Sequence, residues 1–260
     1  MFSNLKGRNI IVTGCNGLIG SKLCEELTRH NANIFGIDYT NNNDNKFFFY
    51  KCDLTVEKNV NTIIDDIYKK VDNINCLIHL AGIDYKVLES VKNEKLVHNF
   101  DTLSDPYKVM KSVNSNISML YNTIYSVLSK FLDQSESRII LMGSIYGSYS
   151  PNPNLYINQN ETFFYQKPIE YSISKSVFPT LTKYLCCHYA KKGLIVNNLE
   201  PHAIISNPDN KFINNFKKLS PMKRICNIDE IIEFIIYLII SKCKYLNGET
   251  IKIDGGWSTY

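Results

Sequence analysis

Short apolar runs alternate along the chain with longer stretches in which apolar residues recur every three or four positions. Asn9 to Thr13 is apolar and stops at glycine, and Leu18 to Thr28 then places Leu18, Leu23 and Leu27 on one helical face. This spacing predicts a strand feeding a helix. The same reading predicts strands at Asn33 to Ile37, Phe47 to Cys52, Cys76 to Leu80, Arg138 to Met142, Leu194 to Leu199 and Thr250 to Ile253. Helices are predicted at Val56 to Val71, Leu103 to Phe131, Tyr171 to Lys191, Asn207 to Leu219 and Ile228 to Ser241. Strands alternating with helices imply right-handed crossovers, hence an α/β fold with a doubly wound, mostly parallel β-sheet flanked by helices on both faces.

No Pro/Gly/Ser-rich linker and no internal repeat divides the 260 residues, so a single domain over 1–260 is expected. Two segments lack periodicity: Thr40 to Asn45, rich in Asn, and 148–170, which holds Pro151, Pro153 and Pro168. A loop as long as the second is unusual inside a compact domain and reads as a lid-like insertion. Its aromatics (Tyr149, Tyr156, Phe163, Phe164, Tyr165) suit an ordered lid, and an oligomer contact would carry the same residues.

Composition narrows the class. With 44% hydrophobic and 21% charged residues, the chain is neither disordered nor fibrous and must bury a core. The net charge of +4 is scattered apart from pairs such as Lys191-Lys192 and Lys217-Lys218, which reads as a solvated surface with no nucleic-acid stripe. The run Phe47 to Tyr50 therefore reads as a buried strand rather than a base-stacking platform. Eight cysteines form no CxxC pair and look like thiols of a reducing compartment; the vicinal Cys186 and Cys187 are expected in the core. Five histidines form no ligand ladder, so no metal is expected. Met1 to Arg8 lacks the apolar core of a signal peptide, and Ile228 to Ile240 is too short to span a bilayer and carries acids. A cytoplasmic protein without a membrane partner is expected.

Two constellations carry chemistry. The first strand runs into Thr13-Gly14-Cys15-Asn16-Gly17-Leu18-Ile19-Gly20. Glycines there permit positive φ, close approach of backbone to a pyrophosphate, and a helix that starts near the sheet with its free N–H groups available to an anion. Asp38 closes the next strand, where a carboxylate hydrogen-bonds the adenosine ribose and repels a 2′-phosphate; this predicts NAD(H) over NADP(H). In Tyr171-Ser172-Ile173-Ser174-Lys175, the phenol and ammonium lie four apart and share a helix face, so the cation stabilises a phenolate. Tyr107 and Lys111 share that spacing, but Tyr171 follows the strand that ends in Gly143-Ser144, which brings Ser144 out on the edge that carries the glycine turn.

These residues resemble the short-chain dehydrogenase/reductases. The resemblance runs from Thr13–Gly20 through Asp38, Cys52-Asp53-Leu54, His79-Leu80-Ala81-Gly82, Ser115-Asn116, Ser144, Tyr171 with Lys175 and Asn197–Pro201 to Gly248–Trp257. It implies a Rossmann-type domain and a homodimer or homotetramer formed through the helices Leu103 to Phe131 and Tyr171 to Lys191. It further implies Tyr171 as general acid/base, Lys175 on the nicotinamide ribose, and Ser144 on the substrate oxygen. Asn116 is implied in a proton relay, with Asn114 as the alternative. Thr13, Gly14, Asn16, Gly17, Leu18, Ile19 and Gly20 would bind the cofactor, as would Asp38, Asp53, Leu54, Ala81, Gly82 and Pro201.

Tyr146 and His202 are candidates to touch substrate, and His202 reads equally as a loop histidine satisfied by backbone. The glycine spacing and His79, where the family usually has asparagine, are also features of the longer epimerases and dehydratases acting on nucleotide sugars. The stretch after Lys175 is too short for their second domain. His79 reads as a packed histidine beside the cofactor rather than an acid or base. The Ser144-Ile145-Tyr146-Gly147 turn and the insertion look like single-domain bacterial oxidoreductases associated with flagellin or surface-polysaccharide sugar modification. The expected activity is NAD(H)-dependent interconversion of an alcohol and a carbonyl on a small, sugar-like substrate. The alternatives are a nucleotide-sugar epimerase or dehydratase and a non-catalytic dinucleotide-sensing protein.

Overall fold

The computed structural model describes residues 5–42, 46–83, 106–157, 167–205 and 210–259. Seven strands form one sheet: β1 (Asn9–Thr13), β2 (Asn33–Asp38), β3 (Phe48–Lys51), β4 (Cys76–His79), β5 (Ser137–Met142), β6 (Leu194–Pro201) and β7 (Thr250–Ile253). All neighbours are parallel, in the order β3-β2-β1-β4-β5-β6-β7. The helices are α1 (Leu18–Arg29), α2 (Glu57–Tyr68), α3 (Pro106–Leu132), α4 (Ile145–Ser148), α5 (Ile169–Tyr189), α6 (Asn210–Leu219) and α7 (Ile228–Ile240). The expected starts of two helices, 103–105 and 207–209, lie outside the described residues. So do 158–166 of the insertion, with Phe163, Phe164 and Tyr165, and residues 43–45 of the Asn-rich segment. The short α4 was not visible in the pattern, because one turn leaves no periodicity to detect.

Alternation along each strand divides the core. Ile11, Phe35, Leu77, Ile139, Leu141 and Val196 face α2, α3 and α5, whereas Ile10, Val12, Ile34, Ile78 and Ile140 face α1 and α7. A doubly wound sheet needs both faces apolar, which is why these strands read as continuous hydrophobic runs. A third, smaller cluster lies apart from both: Leu155 and Tyr156 of the insertion pack with Phe212 and Phe216 of α6.

Two expectations need correction. The segment Phe47 to Tyr50 is not a buried strand: β3 is the sheet edge, and Phe48 is 54% exposed. Its ring instead stacks on Phe35 at 5.3 Å, so the edge retains an aromatic contact without being enclosed. Cys187 is exposed and Cys186 only half-buried: Cys186 lies at the margin of the core-facing side of α5, packed against the cluster that holds Leu185, and Cys187 turns to solvent. All eight cysteines are thiols, four of them buried.

One charged residue is fully enclosed in β6. Glu200 Oε1 accepts from the Ser148 hydroxyl at 2.9 Å, and burial holds the carboxyl above its ordinary value of 4.5. The folded chain therefore keeps a proton that the unfolded chain releases. The contribution is intact below about pH 4.5 and is lost as pH rises through the folded-state value. Glu200→Gln is expected to raise the melting temperature relative to the parent by a margin that grows from pH 4 to pH 7; a margin independent of pH would contradict the buried-acid assignment.

Candidate active site

The turn between β1 and α1 is shaped by glycine at two positions. Gly14 has φ +70°, and a Cβ there would lie 2.8 Å from the Ala81 nitrogen. A Cβ on Gly20 would lie 2.1 Å from the Gly14 carbonyl oxygen, so the first turn of α1 rests on the loop backbone itself. The α1 N-cap, Gly17, offers no side-chain acceptor, and the first turn contains no acid. Its N–H groups are thus suited to an anion from outside the helix. At the end of β2, Asp38 accepts from the Asn16 backbone N–H (3.0 Å) and from the Thr40 N–H and hydroxyl (2.9 and 2.8 Å).

β5 delivers the second half. A Cβ on Gly143 would sit 2.7 Å from Asn198 Oδ1, which accepts the Gly143 N–H at 3.0 Å; this pins the strand end to β6. Ser144 then caps α4, its hydroxyl accepting from the Tyr146 N–H at 3.2 Å. α4 lies directly on α5: a Cβ on Gly147 would be 2.5 Å from the Lys175 carbonyl oxygen. That carbonyl has no helical donor four residues on, where Pro179 stands. Lys175 Nζ donates to the Met142 carbonyl at 2.9 Å.

A cavity of about 530 Å³ opens at this carboxyl edge. It is lined by Gly14, Gly17, Leu18, Ile19 and Gly20 on one side and by Gly82, Ser144, Tyr146, Tyr171, Lys175, Pro201 and His202 on the other. The remaining candidates stand behind or beside it. Thr13 is fully buried, its hydroxyl joining His79 Nδ1 (3.0 Å) to the Ala81 N–H (3.3 Å). Asn116 is buried and clasps Ile83, accepting its N–H at 2.7 Å and donating to its carbonyl at 3.2 Å, whereas Asn114 is exposed. Asp53 accepts from the Thr55 N–H and hydroxyl, and Leu54 packs in the core beneath. Asp38 and Asn16 mark the far end of the groove rather than this cavity.

His79 is buried, and desolvation together with nearby Lys175 pushes its pKa down to about 3, so it is a neutral packed ring. His202 is enclosed by Tyr146, Phe216 and Trp257 at 5.3, 5.0 and 4.6 Å between centroids. The next residue, Ala203, takes φ +52°, a strained value for a residue with a side chain.

The structure also adds groups the motifs did not indicate. Tyr156 hydrogen-bonds Tyr146 between hydroxyls at 2.8 Å. Lys167 places Nζ 3.5 Å from the centroid of the Tyr171 ring. Both residues, with Tyr146, border the main cavity and a second one of about 550 Å³ formed by the insertion and α5. The signal for Lys167 was available as a lysine four residues before Tyr171, mirroring Lys175 four after. Tyr156 had no signal beyond its place among the aromatics of the insertion.

The family model described as enoyl-(acyl carrier protein) reductase matches residues 18–258. The chain is a short-chain dehydrogenase/reductase. Among relatives of this oxidoreductase, the 3-oxoacyl-(acyl-carrier-protein) reductase FabG of Buchnera aphidicola subsp. Acyrthosiphon pisum is 28% identical, over 97% of this chain and 98% of that protein. Post-translational flagellin modification protein A of Campylobacter coli is 25% identical over 97% and 99%. A solved short-chain dehydrogenase from Leptospira borgpetersenii with bound NAD+ shares the fold with a TM-score of 0.84 at 23% identity, over 99% of this chain and 96% of that one. The chain spans nearly the full length of each of these three proteins.

The glycine turn of this oxidoreductase offers a direct test. Gly20→Ala forces a methyl onto the Gly14 carbonyl, and the expected results are a loss of stability of about 1–3 kcal/mol and weakened NADH binding, measured by denaturant unfolding and by fluorescence titration. Parental binding would show that the turn is not shaped for a ligand.

Proposed function

We propose that this short-chain dehydrogenase/reductase interconverts an alcohol and a carbonyl with NAD(H), using Tyr171 as general acid/base on a polar, sugar-like substrate. The observation that carries this reading is the convergence of Tyr171, Lys175 and Ser144 on the cavity that the glycine turn also lines. The cradle suits a dinucleotide: Gly14 and Gly20 leave no room for a side chain, and the α1 terminus presents unmet N–H groups. When bound, the nicotinamide supplies or accepts the hydride. The work of the protein is to manage the charge that this creates on the substrate oxygen. Ser144 keeps its hydroxyl proton for that oxygen while its own oxygen caps α4. Tyr171 gives the oxygen a proton in reduction and withdraws one in oxidation, and Lys175 stabilises the ionised phenol. Asn116, buried at the Ile83 backbone, is the relay residue of this reading in preference to exposed Asn114.

Asp38 supports the preference for NAD(H), since a carboxylate at the end of β2, bonded to the glycine turn through the Asn16 N–H, suits ribose hydroxyls and would repel a 2′-phosphate. Thr13, Asn16, Asp53, Leu54, Ala81 and Gly82 form the frame of the remaining cofactor groove. Pro201 borders its nicotinamide end, and Tyr146 and His202 form the substrate wall. The described start of the insertion, with Leu155 and Tyr156 packed against α6, suits a lid over the cavity. Exposed Tyr121 and Tyr125 on α3, with Ile169, Ile173 and Tyr184 on α5, suit burial against a second copy in a homodimer or homotetramer. Buried thiols suit a reducing cytoplasm. No described helix is long and apolar enough to cross a membrane.

Purified protein assayed against sugar alcohols and ketones, with NADH absorbance as readout, tests this assignment. Tyr171→Phe is expected to abolish turnover on whichever substrate the panel reveals while leaving NADH affinity nearly intact. Undiminished turnover would remove Tyr171 from the chemistry, and cofactor binding without turnover of any substrate would favour a sensing role. Asp38→Asn is expected to improve NADP(H) binding relative to NAD(H) in parallel titrations; an unchanged ratio would take Asp38 out of cofactor selection.

A further inference from the structure

We propose that Lys167 is a second cation of the acid/base centre, seated on the ring of Tyr171 so that the phenolate is held by two ammonium groups rather than one. The inference rests on Tyr171 being the acid/base group. Its Nζ lies 3.5 Å from the Tyr171 ring centroid, whereas Lys175 Nζ lies 5.9 Å away and donates to the Met142 carbonyl. The ammonium closer to the centre of the ring is therefore the one supplied by the insertion.

Lys167 is 6% exposed, so solvent screens it little, and an opposite charge within roughly 4–6 Å favours the ionised form of its neighbour. Pro168 (φ −61°, ψ 141°) caps α5 and keeps Lys167 out of the helix, which lets the side chain fold back over the tyrosine one turn further on.

The electrostatic surroundings point the same way. Two lysines and no carboxylate stand among the described residues lining the main cavity. Ser144, Tyr146, Tyr156 and His202 face it from the other elements; Asp254, held below its ordinary range against burial chiefly by hydrogen bonds from Ser258 and Gly256, and buried Glu170, which precedes Tyr171, line neither this cavity nor its neighbour. The two ammonium groups that line the cavity favour an anion beside them, and the ionisable phenol of Tyr171 is placed to become one.

The test needs no substrate. Full-length protein carrying ¹³Cζ-labelled tyrosine is titrated by NMR with NAD+ present, and the Tyr171 signal is identified among 17 tyrosines by its absence in Tyr171→Phe. Lys167→Met is expected to raise the Tyr171 midpoint by about one pH unit, with Lys167→Arg staying near the parent. Lys167→Gln gives the same reading should the Met variant not fold. An unmoved midpoint in the neutral variant overturns the proposal. An unmoved midpoint combined with weaker binding of sugar acids such as gluconate, but not of neutral sugars, also overturns it and makes Lys167 a substrate ligand. Failure of the underlying reading is distinguishable, because it appears as full turnover in Tyr171→Phe rather than as an unmoved titration.

Discussion

The site depends on the contact between Gly147 and the backbone of Lys175. A side chain at position 147 would collide with the Lys175 carbonyl, which Pro179 leaves without a helical donor four residues on. Because α4 and α5 meet there, the turn carrying Ser144 is registered against the helix carrying Tyr171 and Lys175. The Lys175 ammonium locks the same junction from the other side through the Met142 carbonyl. A hydroxyl, a phenol and an ammonium from distant parts of the chain are thereby held without any of them being on a free loop.

Around this junction the protein encloses several polar and ionisable side chains. His79, Glu200, Lys167 and Asn116 are all buried close to the carboxyl edge of the sheet. Their environments differ in consequence. Burial and the neighbouring lysine push the His79 pKa down to about 3, whereas burial pushes the Glu200 carboxyl up against the opposing effects of Ser148, Lys252 and Asn198. The same low dielectric that penalises these groups strengthens the field of a lysine on an aromatic ring. The rings of Tyr146 and His202 line the cavity, Phe216 and Trp257 back His202, and Tyr156 connects Tyr146 to the insertion.

Much of the architecture was legible in local patterns. β1, the glycine turn and α1 were readable because apolar run, glycine spacing and helical periodicity are properties of neighbouring residues. Tyr171 with Lys175 was readable for the same reason, since one helical turn relates them. The edge position of β3 was not, because an aromatic-rich strand looks alike whether one or two strands flank it; Phe48 is exposed only because nothing pairs beyond it. The placement of Asn116 over Asn114 likewise required the rotation of α3 against the Ile83 backbone.

Local order along the chain thus specified the alternating elements, the phosphate-type turn and the tyrosine–lysine pair, since each arises from interactions a few residues long. What had to await folding was every relation across the sheet: the contact at Gly147, the aromatic box around His202, and the lysine on the Tyr171 ring. Those relations are set by packing between segments far apart in sequence. Residue spacing carries no record of which side chains will share a cavity once the backbone has closed around it.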